Sequence, residues 1–356
     1  MTTAPVVKLR SGKVTVLGGG SWGTALAKLL AEKGDETTLW SVELDVVDEI
    51  TTRGTSERYL PGAVLPRNLT ATHDIVKALD GATMVVFVVP SHATREVAKL
   101  SAPFLPAGAP IVSATKGIEN ESLMFMDEVL ADELPRAARN MLAFFSGPSF
   151  AKELARKLPT VVVAASRDPE VATIVQNRFR TPYLRVYTSG DVAGVECGGA
   201  LKNVIAIAAG AADGLGFGHN TRAALITRGL SEMARLAIAR GGSALTLAGL
   251  SGMGDLVLTC TGELSRNRTV GFELGKGRAL EDVLLGIGHV AEGVKTAKSA
   301  YELSLKMNVE MPIVREVYAV LYEGKSASSA VVDLMERELG HEFDPNVFAP
   351  AALGGA

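Results

Sequence analysis

The chain has 356 residues, 47% of them hydrophobic and 21% charged, with a formal net charge of −3. That length holds two ordinary domains with a core each, and the near-neutral balance gives no electrostatic reason to expect nucleic acid or an anionic membrane. Two cysteines, Cys197 and Cys260, support neither a disulfide framework nor a zinc site, so no metal is expected. Residues 1–11 carry no apolar leader, and no apolar run approaches bilayer length, so a cytoplasmic protein without an integral membrane segment is expected.

The first element is an apolar run, Val14-Thr15-Val16-Leu17, that enters a glycine turn and then an Ala/Leu-rich helix to about Lys33. The turn reads G-x-G-x-x-G in the context that gives it meaning. Gly18 allows the tight turn, Gly20 lets a pyrophosphate approach the backbone, and Gly23 lets helix and strand pack closely, while the helix N-terminus offers free N–H groups to phosphate. After a stop at Gly34 comes a strand, Thr37-Thr38-Leu39-Trp40. Met84-Val85-Val86-Phe87-Val88-Val89 is a continuous apolar run of the kind buried on both faces of a parallel sheet. Strands are also expected at 110–114, 141–145 and 160–164. The alternation predicts a doubly wound α/β domain over residues 1–189, with ligands at the loops after its strands. Thr115-Lys116-Gly117 and Ser146-Gly147-Pro148-Ser149 fall in such loops, the second as a helix start.

From residue 192 to about 340 the chain is rich in Ala, Leu, Gly and Met at helical spacing, which predicts an all-helical domain over 190–340. Residues 341–356, rich in Pro, Ala and Gly, read as a flexible tail. Within the helical half, an apolar helix around 197–209 carries one cation, Lys202. Two readings are open: a buried lysine with a lowered pKa, suited to proton exchange, or a stem lying along an apolar face with its ammonium in water. In Gly252-Met253-Gly254-Asp255, the carboxylate sits beside glycines as a cap or a catalyst, with Thr259 one turn on. Ser265-Arg266-Asn267-Arg268 has the form of an N-cap serine followed by donors. Two arginines there oppose the helix dipole, so an anion is expected, a solvated surface turn being the other reading.

These blocks occur in order with others: GGGSWGTALA (18–27), VVPSH (88–92), ATKG (114–117), SGPSFAKEL (146–154), GGALKNVIAIAAG (198–210), DGLGFGHNTRAALITRGLSEM (213–233), GDLVLTCTGELSRNR (254–268) and EMPI (310–313). The set, spanning about 14 to 325, resembles bacterial NAD(P)-dependent glycerol-3-phosphate dehydrogenase. The resemblance implies hydride transfer between nicotinamide and C2 of glycerol 3-phosphate or glycerone phosphate, feeding phospholipid synthesis, and a homodimer. It also implies roles. Lys202 matches the catalytic lysine that exchanges the C2 hydroxyl proton, and Lys116 a lysine between cofactor and substrate. Gly147, Ser149, Asp255, Ser265, Arg266 and Asn267 match substrate contacts. Ser21, Trp22, Ala151, Arg266, Val290 and Glu292 match cofactor contacts. Asn203 and Thr259 match polar residues near the reacting centre.

One departure bears on the cofactor. Many members carry a basic or His side chain just past the second strand, where the 2′-phosphate of NADP sits, whereas this chain reads Leu39-Trp40-Ser41-Val42-Glu43. Glu43 lies 20 residues after Gly23, near the acid that the fingerprint places on free ribose hydroxyls. A surface glutamate without ligand is the other reading. NAD or NADP is therefore expected, leaning to NAD, unless Arg53 or Arg58 folds back across the site. Two further functions remain to be weighed. A two-domain hydroxy-acid dehydrogenase needs no phosphate block like 265–268, and a catalytically silent dinucleotide sensor has no need of Lys202 and Lys116.

Overall fold

The computed structural model describes residues 12–287, 291–338 and 342. Eight strands form one sheet: β1 Lys13–Leu17, β2 Thr37–Trp40, β3 Leu69–Thr72, β4 Ala82–Phe87, β5 Ile111–Ser113, β6 Leu142–Ser146, β7 Thr160–Ala165 and β8 Leu184–Ser189. Their order is β3-β2-β1-β4-β5-β6-β7-β8. Neighbours are parallel except at β6 and β7, which run antiparallel. The chain reverses its winding between β1 and β4, the topological switch point at which open α/β sheets bind ligands. Val14, Val16, Met84, Val86, Val112 and Ala143 pack with the first helix on one face of the sheet. Leu17, Val85, Phe87 and Ile111 bury the other face.

β3 and β8 went unread in the sequence, and both are the sheet's edges. An edge strand buries less. In β3 only Leu69 is fully buried, and in β8 Leu184 and Val186 alternate with exposed Arg185 and Tyr187, so neither forms the continuous apolar run that reveals a central strand.

Two residues beyond β8 the chain becomes helical. Val192–Gly214 is a 23-residue helix capped by Asp191, whose side chain accepts from Gly194 N–H. The helices His219–Ala239, Asp255–Thr261, Arg266–Gly275 and Glu292–Lys306 pack around it. It corrects the expectation that no apolar segment reaches bilayer length. It is long and apolar enough to cross a membrane, with a mean hydropathy of 1.4 over its most apolar 18 residues, but 83% of that stretch is buried within the protein. The second such stretch, Ala244–Thr261, is interrupted by the π-helical turn Leu250–Gly254.

The contact between Val192–Gly214 and Arg266–Gly275 is made backbone to backbone. A Cβ on Gly210 would lie 2.0 Å from the carbonyl oxygen of Arg268, and one on Gly271 would lie 1.9 Å from that of Ile207. Any side chain at these positions would push the second helix, and the residues at its N-terminus, away from Lys202.

Candidate active site

The glycine turn lies at the switch point, and its three glycines have different causes. Gly18 has φ +128°, and a Cβ there would sit 2.6 Å from the carbonyl oxygen of Val88. A Cβ on Gly23 would sit 2.0 Å from the carbonyl oxygen of Gly18. Both are required by the protein's own packing. Around Gly20, by contrast, a Cβ would meet nothing within 4 Å. Gly20 is the N-cap of the helix Ser21–Glu32, with no side-chain cap on its first-turn N–H groups. An open backbone face at an uncapped helix N-terminus fits the pyrophosphate of a dinucleotide. Ser21 and Trp22 open this helix, and Trp22, Val88 and Ala151 are partly buried against the same core.

The chemistry gathers on one carboxylate. Asp255, fully buried at the start of Asp255–Thr261, accepts from Lys202 Nζ on Oδ1 at 2.5 Å and from Lys116 Nζ on Oδ2 at 2.6 Å. Lys202 Nζ also donates to Thr259 Oγ1 at 3.0 Å, and that hydroxyl donates to the Asp255 carbonyl at 2.6 Å. Lys116, in the loop after β5, donates to the Gly147 carbonyl at 3.3 Å, and Ser149 Oγ donates to the same carbonyl at 3.0 Å. Lys202 is only 8% exposed, which decides between its two readings in favour of burial. Burial pushes its ammonium down to about 8 and the neighbouring charge of Lys116 acts with it, while Asp255 opposes both. Asp255 thus binds both lysines and caps nothing. Two cations on one anion leave a positive balance where the halves of the protein meet.

At the start of Arg266–Gly275 the expected anion ligands part company. Ser265 caps Arg266–Gly275 by accepting from Arg268 N–H at 3.2 Å. Arg268, however, is committed to Asp213 at 2.7 Å, as is Arg222 at 2.7 Å, so only one of the two expected arginines remains. Arg266 is exposed and makes no hydrogen bond or ion pair among the described residues. Asn267 accepts from Gly293 N–H at 3.0 Å through Oδ1, which leaves its amide N–H groups as donors. Glu292, first in Glu292–Lys306, belongs to the same end. Burial raises its carboxyl pKa, opposed by Arg266, Lys116 and Lys202. Asn203 is buried beside Lys202, and its carbonyl backs against Gly293. Val290 lies outside the described residues, as does the 341–356 tail apart from Glu342.

Two readings need correction. The helix after β6 is Ala151–Ala155 with Phe150 as its N-cap, so Ser149 does not start it and binds back to Gly147 instead. Glu43 is not free: the Tyr59 hydroxyl donates to both its oxygens, at 2.9 and 2.7 Å, and Arg58 pairs with it at 3.0 Å. Arg58 also lies over the Tyr59 ring, 5.2 Å from its centroid. A cation therefore does stand at the end of β2: of the two arginines that could fold back, Arg58 pairs with Glu43.

An open dinucleotide cradle at the sheet's switch point and a buried lysine pair held between a sheet loop and the helical half define an oxidoreductase of the NAD(P)-dependent class. Comparison with known proteins narrows the class. Residues 13–172 match the N-terminal family "NAD-dependent glycerol-3-phosphate dehydrogenase N-terminus", and residues 191–332 match its C-terminal counterpart. The chain is 57% identical over 324 residues to glycerol-3-phosphate dehydrogenase [NAD(P)+] of Myxococcus xanthus, covering 91% of this chain and 97% of that protein. It is 54% identical to the protein of the same name from Geobacter sulfurreducens, covering 93% and 99%. The crystal structure of glycerol-3-phosphate dehydrogenase from Coxiella burnetii superposes with a TM-score of 0.88 at 42% identity, covering 92% of this chain and 99% of that one. The chain belongs to the NAD-dependent glycerol-3-phosphate dehydrogenase family.

Proposed function

We propose that this protein interconverts sn-glycerol 3-phosphate and glycerone phosphate with NAD(P), residues 1–189 holding the dinucleotide and residues 190–340 the substrate. The product of reduction supplies phospholipid synthesis. The observation that carries this reading is the buried Asp255 carboxylate with a lysine on each oxygen, next to a serine-capped helix bearing an unpaired arginine. When bound, the nicotinamide supplies or accepts the hydride at C2.

The chain's own residues do the rest. In the oxidising direction Lys202, as neutral amine, takes the C2 hydroxyl proton, and as ammonium it returns it in the reducing direction. An ammonium lowered to about 8 exchanges protons near neutral pH far more readily than an ordinary lysine. Lys116, the second lysine on the Asp255 carboxylate, stands beside the developing alkoxide and stabilises it. Asp255 fixes both lysines, and Thr259 fixes Asp255 and Lys202 together. Arg266, Asn267 and the N–H groups after Ser265 take the substrate phosphate, while Gly147 and Ser149 line the approach from the sheet half. A hydroxy-acid substrate offers a planar carboxylate in place of a phosphate and needs fewer donors than Arg266, Asn267 and the N–H groups after Ser265 provide, and a silent sensor has no use for the lysine pair. Oxidation of reduced nicotinamide with glycerone phosphate, run against a panel of 2-oxo acids, tests the reading. Turnover confined to glycerone phosphate supports it, and faster turnover of a 2-oxo acid overturns it.

A further inference from the structure

Behind Lys116 lies a small pocket of about 10 Å³, lined among others by Ser113, Lys116, Ser146, Glu196 and Gly199. That volume admits about one water molecule. Ser113 and Ser146 are 1% and 6% exposed, and the hydroxyl oxygen of each is buried without a hydrogen-bond partner. Two orphaned hydroxyls facing one water-sized space are the polar lining that a buried water requires. Gly199 keeps the space open, since a Cβ there would lie 2.8 Å from Ser146 Oγ and 3.4 Å from Lys116 Cγ.

On the far wall, Glu196 accepts from Asp127 N–H at 3.1 Å. Asp127 in turn accepts from Arg240 at 3.1 Å and from Arg167, an arginine with a 71% exposed side chain, at 2.7 Å. Arg240 also donates to Glu128 at 3.0 Å, and the Cys197 thiol nearby is pushed up to about 12 by burial and stays neutral. Burial and the charge of Asp127 hold the Glu196 carboxyl well above its usual range, whereas its partner's is lowered, so the pair keeps one proton, on Glu196.

We propose that the cavity holds a fixed water linking Lys116 to the Glu196–Asp127 pair, and that this route returns protons to the lysine cluster from the side opposite the substrate. The inference rests on the reductase reading above. Reducing a ketone to an alcohol adds one hydride and one proton, and the proton leaves Lys202. Lys116 replaces it across the Asp255 carboxylate, the water restores Lys116, and Glu196 restores the water. The carboxyl pair recovers one proton from solvent at the Arg167 edge, so one proton is taken up per ketone reduced. Glu196 acts through Lys116 and touches no substrate; it is a positioning residue.

The test compares Glu196→Gln and Ser146→Ala with wild type in glycerone phosphate reduction, measured in H2O and D2O. Glu196→Gln keeps the hydrogen bond from Asp127 and loses the proton. It should lower kcat roughly tenfold, below the loss of a direct acid–base group, and enlarge the solvent isotope effect while KM and cofactor Kd stay unchanged. Ser146→Ala should move kcat and isotope effect in the same direction. Unchanged kcat, or a lower kcat with an unaltered isotope effect, overturns the proposal, the latter showing Glu196 to be a structural support alone. Should Glu196→Gln not fold, Ser146→Ala and Ser113→Ala decide by the same readouts. A crystal structure showing no water within hydrogen-bond distance of both serine hydroxyls also overturns it. Absence of wild-type turnover would instead reject the reductase reading, so the two failures are distinguishable.

Discussion

The two ends of the site are built on opposite principles. The cofactor cradle is backbone: a glycine turn, an uncapped helix N-terminus and an open face at Gly20, all within residues 18–23. The lysine end is side chain: Lys116, Lys202, Asp255 and Thr259 come from three separate segments and hold one another by hydrogen bonds, with one ammonium donor of each lysine left over. A cradle made of backbone can bind a large ligand without spending side chains on it. A proton-transfer centre must bury charge, and buried charge is tolerable only when each group is paired by another part of the chain. Damage to the cradle should therefore weaken binding, whereas damage to the cluster should stop turnover.

Lys202→Met is the largest expected effect. It keeps apolar volume in the long helix and removes the proton carrier, so kcat should fall by about 10²–10⁴ while cofactor Kd is unchanged. Near-normal turnover in a folded variant would break the comparison. The wild-type pH profile sharpens it. Oxidation needs neutral Lys202 and should rise through about pH 8, and reduction needs the ammonium and should fall above it. The sign follows from burial lowering the lysine pKa. A base limb near the ordinary value of 10.5 would show that Lys202 is solvated.

Next comes the phosphate. Arg266 makes no hydrogen bond or ion pair among the described residues, so Arg266→Ala should cost the fold little and should raise KM for glycerol 3-phosphate by about 10–100-fold, the value of one or two charge-assisted hydrogen bonds. Asn267→Ala should act in the same direction and also loosen Gly293, whose N–H it holds. Arg268→Ala, by contrast, should lower Tm through loss of the Asp213 pair and leave KM little changed. Equal KM effects at Arg266 and Arg268 would show that the structural role assigned to Arg268 is wrong.

The same contrast governs what could be read from sequence. Gly18, Gly20 and Gly23 were legible because their causes are local: a turn, an approach and a packing contact within six residues. The central strands β1, β4, β5 and β6 were legible because burial on both faces leaves an apolar run. Lys202 could be singled out but not placed, since a lysine in an apolar helix is compatible with burial or with a solvated head until Asp255, 53 residues on, is known to face it. Arg268 reads as an anion ligand until Asp213 is seen to hold it, and although Ser146 falls in a candidate ligand loop, nothing in the sequence joins it to Ser113 and Glu196, because their pocket exists only in three dimensions.

Within the cradle, Gly20 and Gly23 should separate binding from stability. Gly23→Ala drives a Cβ to 2.0 Å from the Gly18 carbonyl and should destabilise by about 1–3 kcal/mol, read as a fall in Tm. Gly20 has φ −69° and ψ 178°, an extended conformation open to any residue, so Gly20→Ala should keep Tm and weaken dinucleotide Kd roughly tenfold by standing where the pyrophosphate comes closest. A stable Gly20→Ala protein with unchanged Kd would place the pyrophosphate elsewhere.

The smallest expected effect concerns the adenosine end. Glu43 taken alone argues for NAD, by repelling a 2′-phosphate and accepting from ribose hydroxyls. With Arg58 paired to it at 3.0 Å the repulsion is offset, and the same arginine can turn from the carboxylate to a phosphate. The pair is partly exposed, 47% at Arg58 and 29% at Glu43, so its net worth is about 1 kcal/mol or less and the shifts should be a few-fold. Glu43→Ala frees Arg58 and should raise kcat/KM for NADPH relative to NADH. Arg58→Ala leaves Glu43 uncompensated and should move the ratio toward NADH. Opposite shifts identify the pair as the element that balances the two cofactors. Two unchanged ratios would mean that the ribose is read from another loop, and equal shifts of the same sign would reduce Arg58 and Glu43 to a brace for Tyr59, whose hydroxyl donates to the same carboxylate.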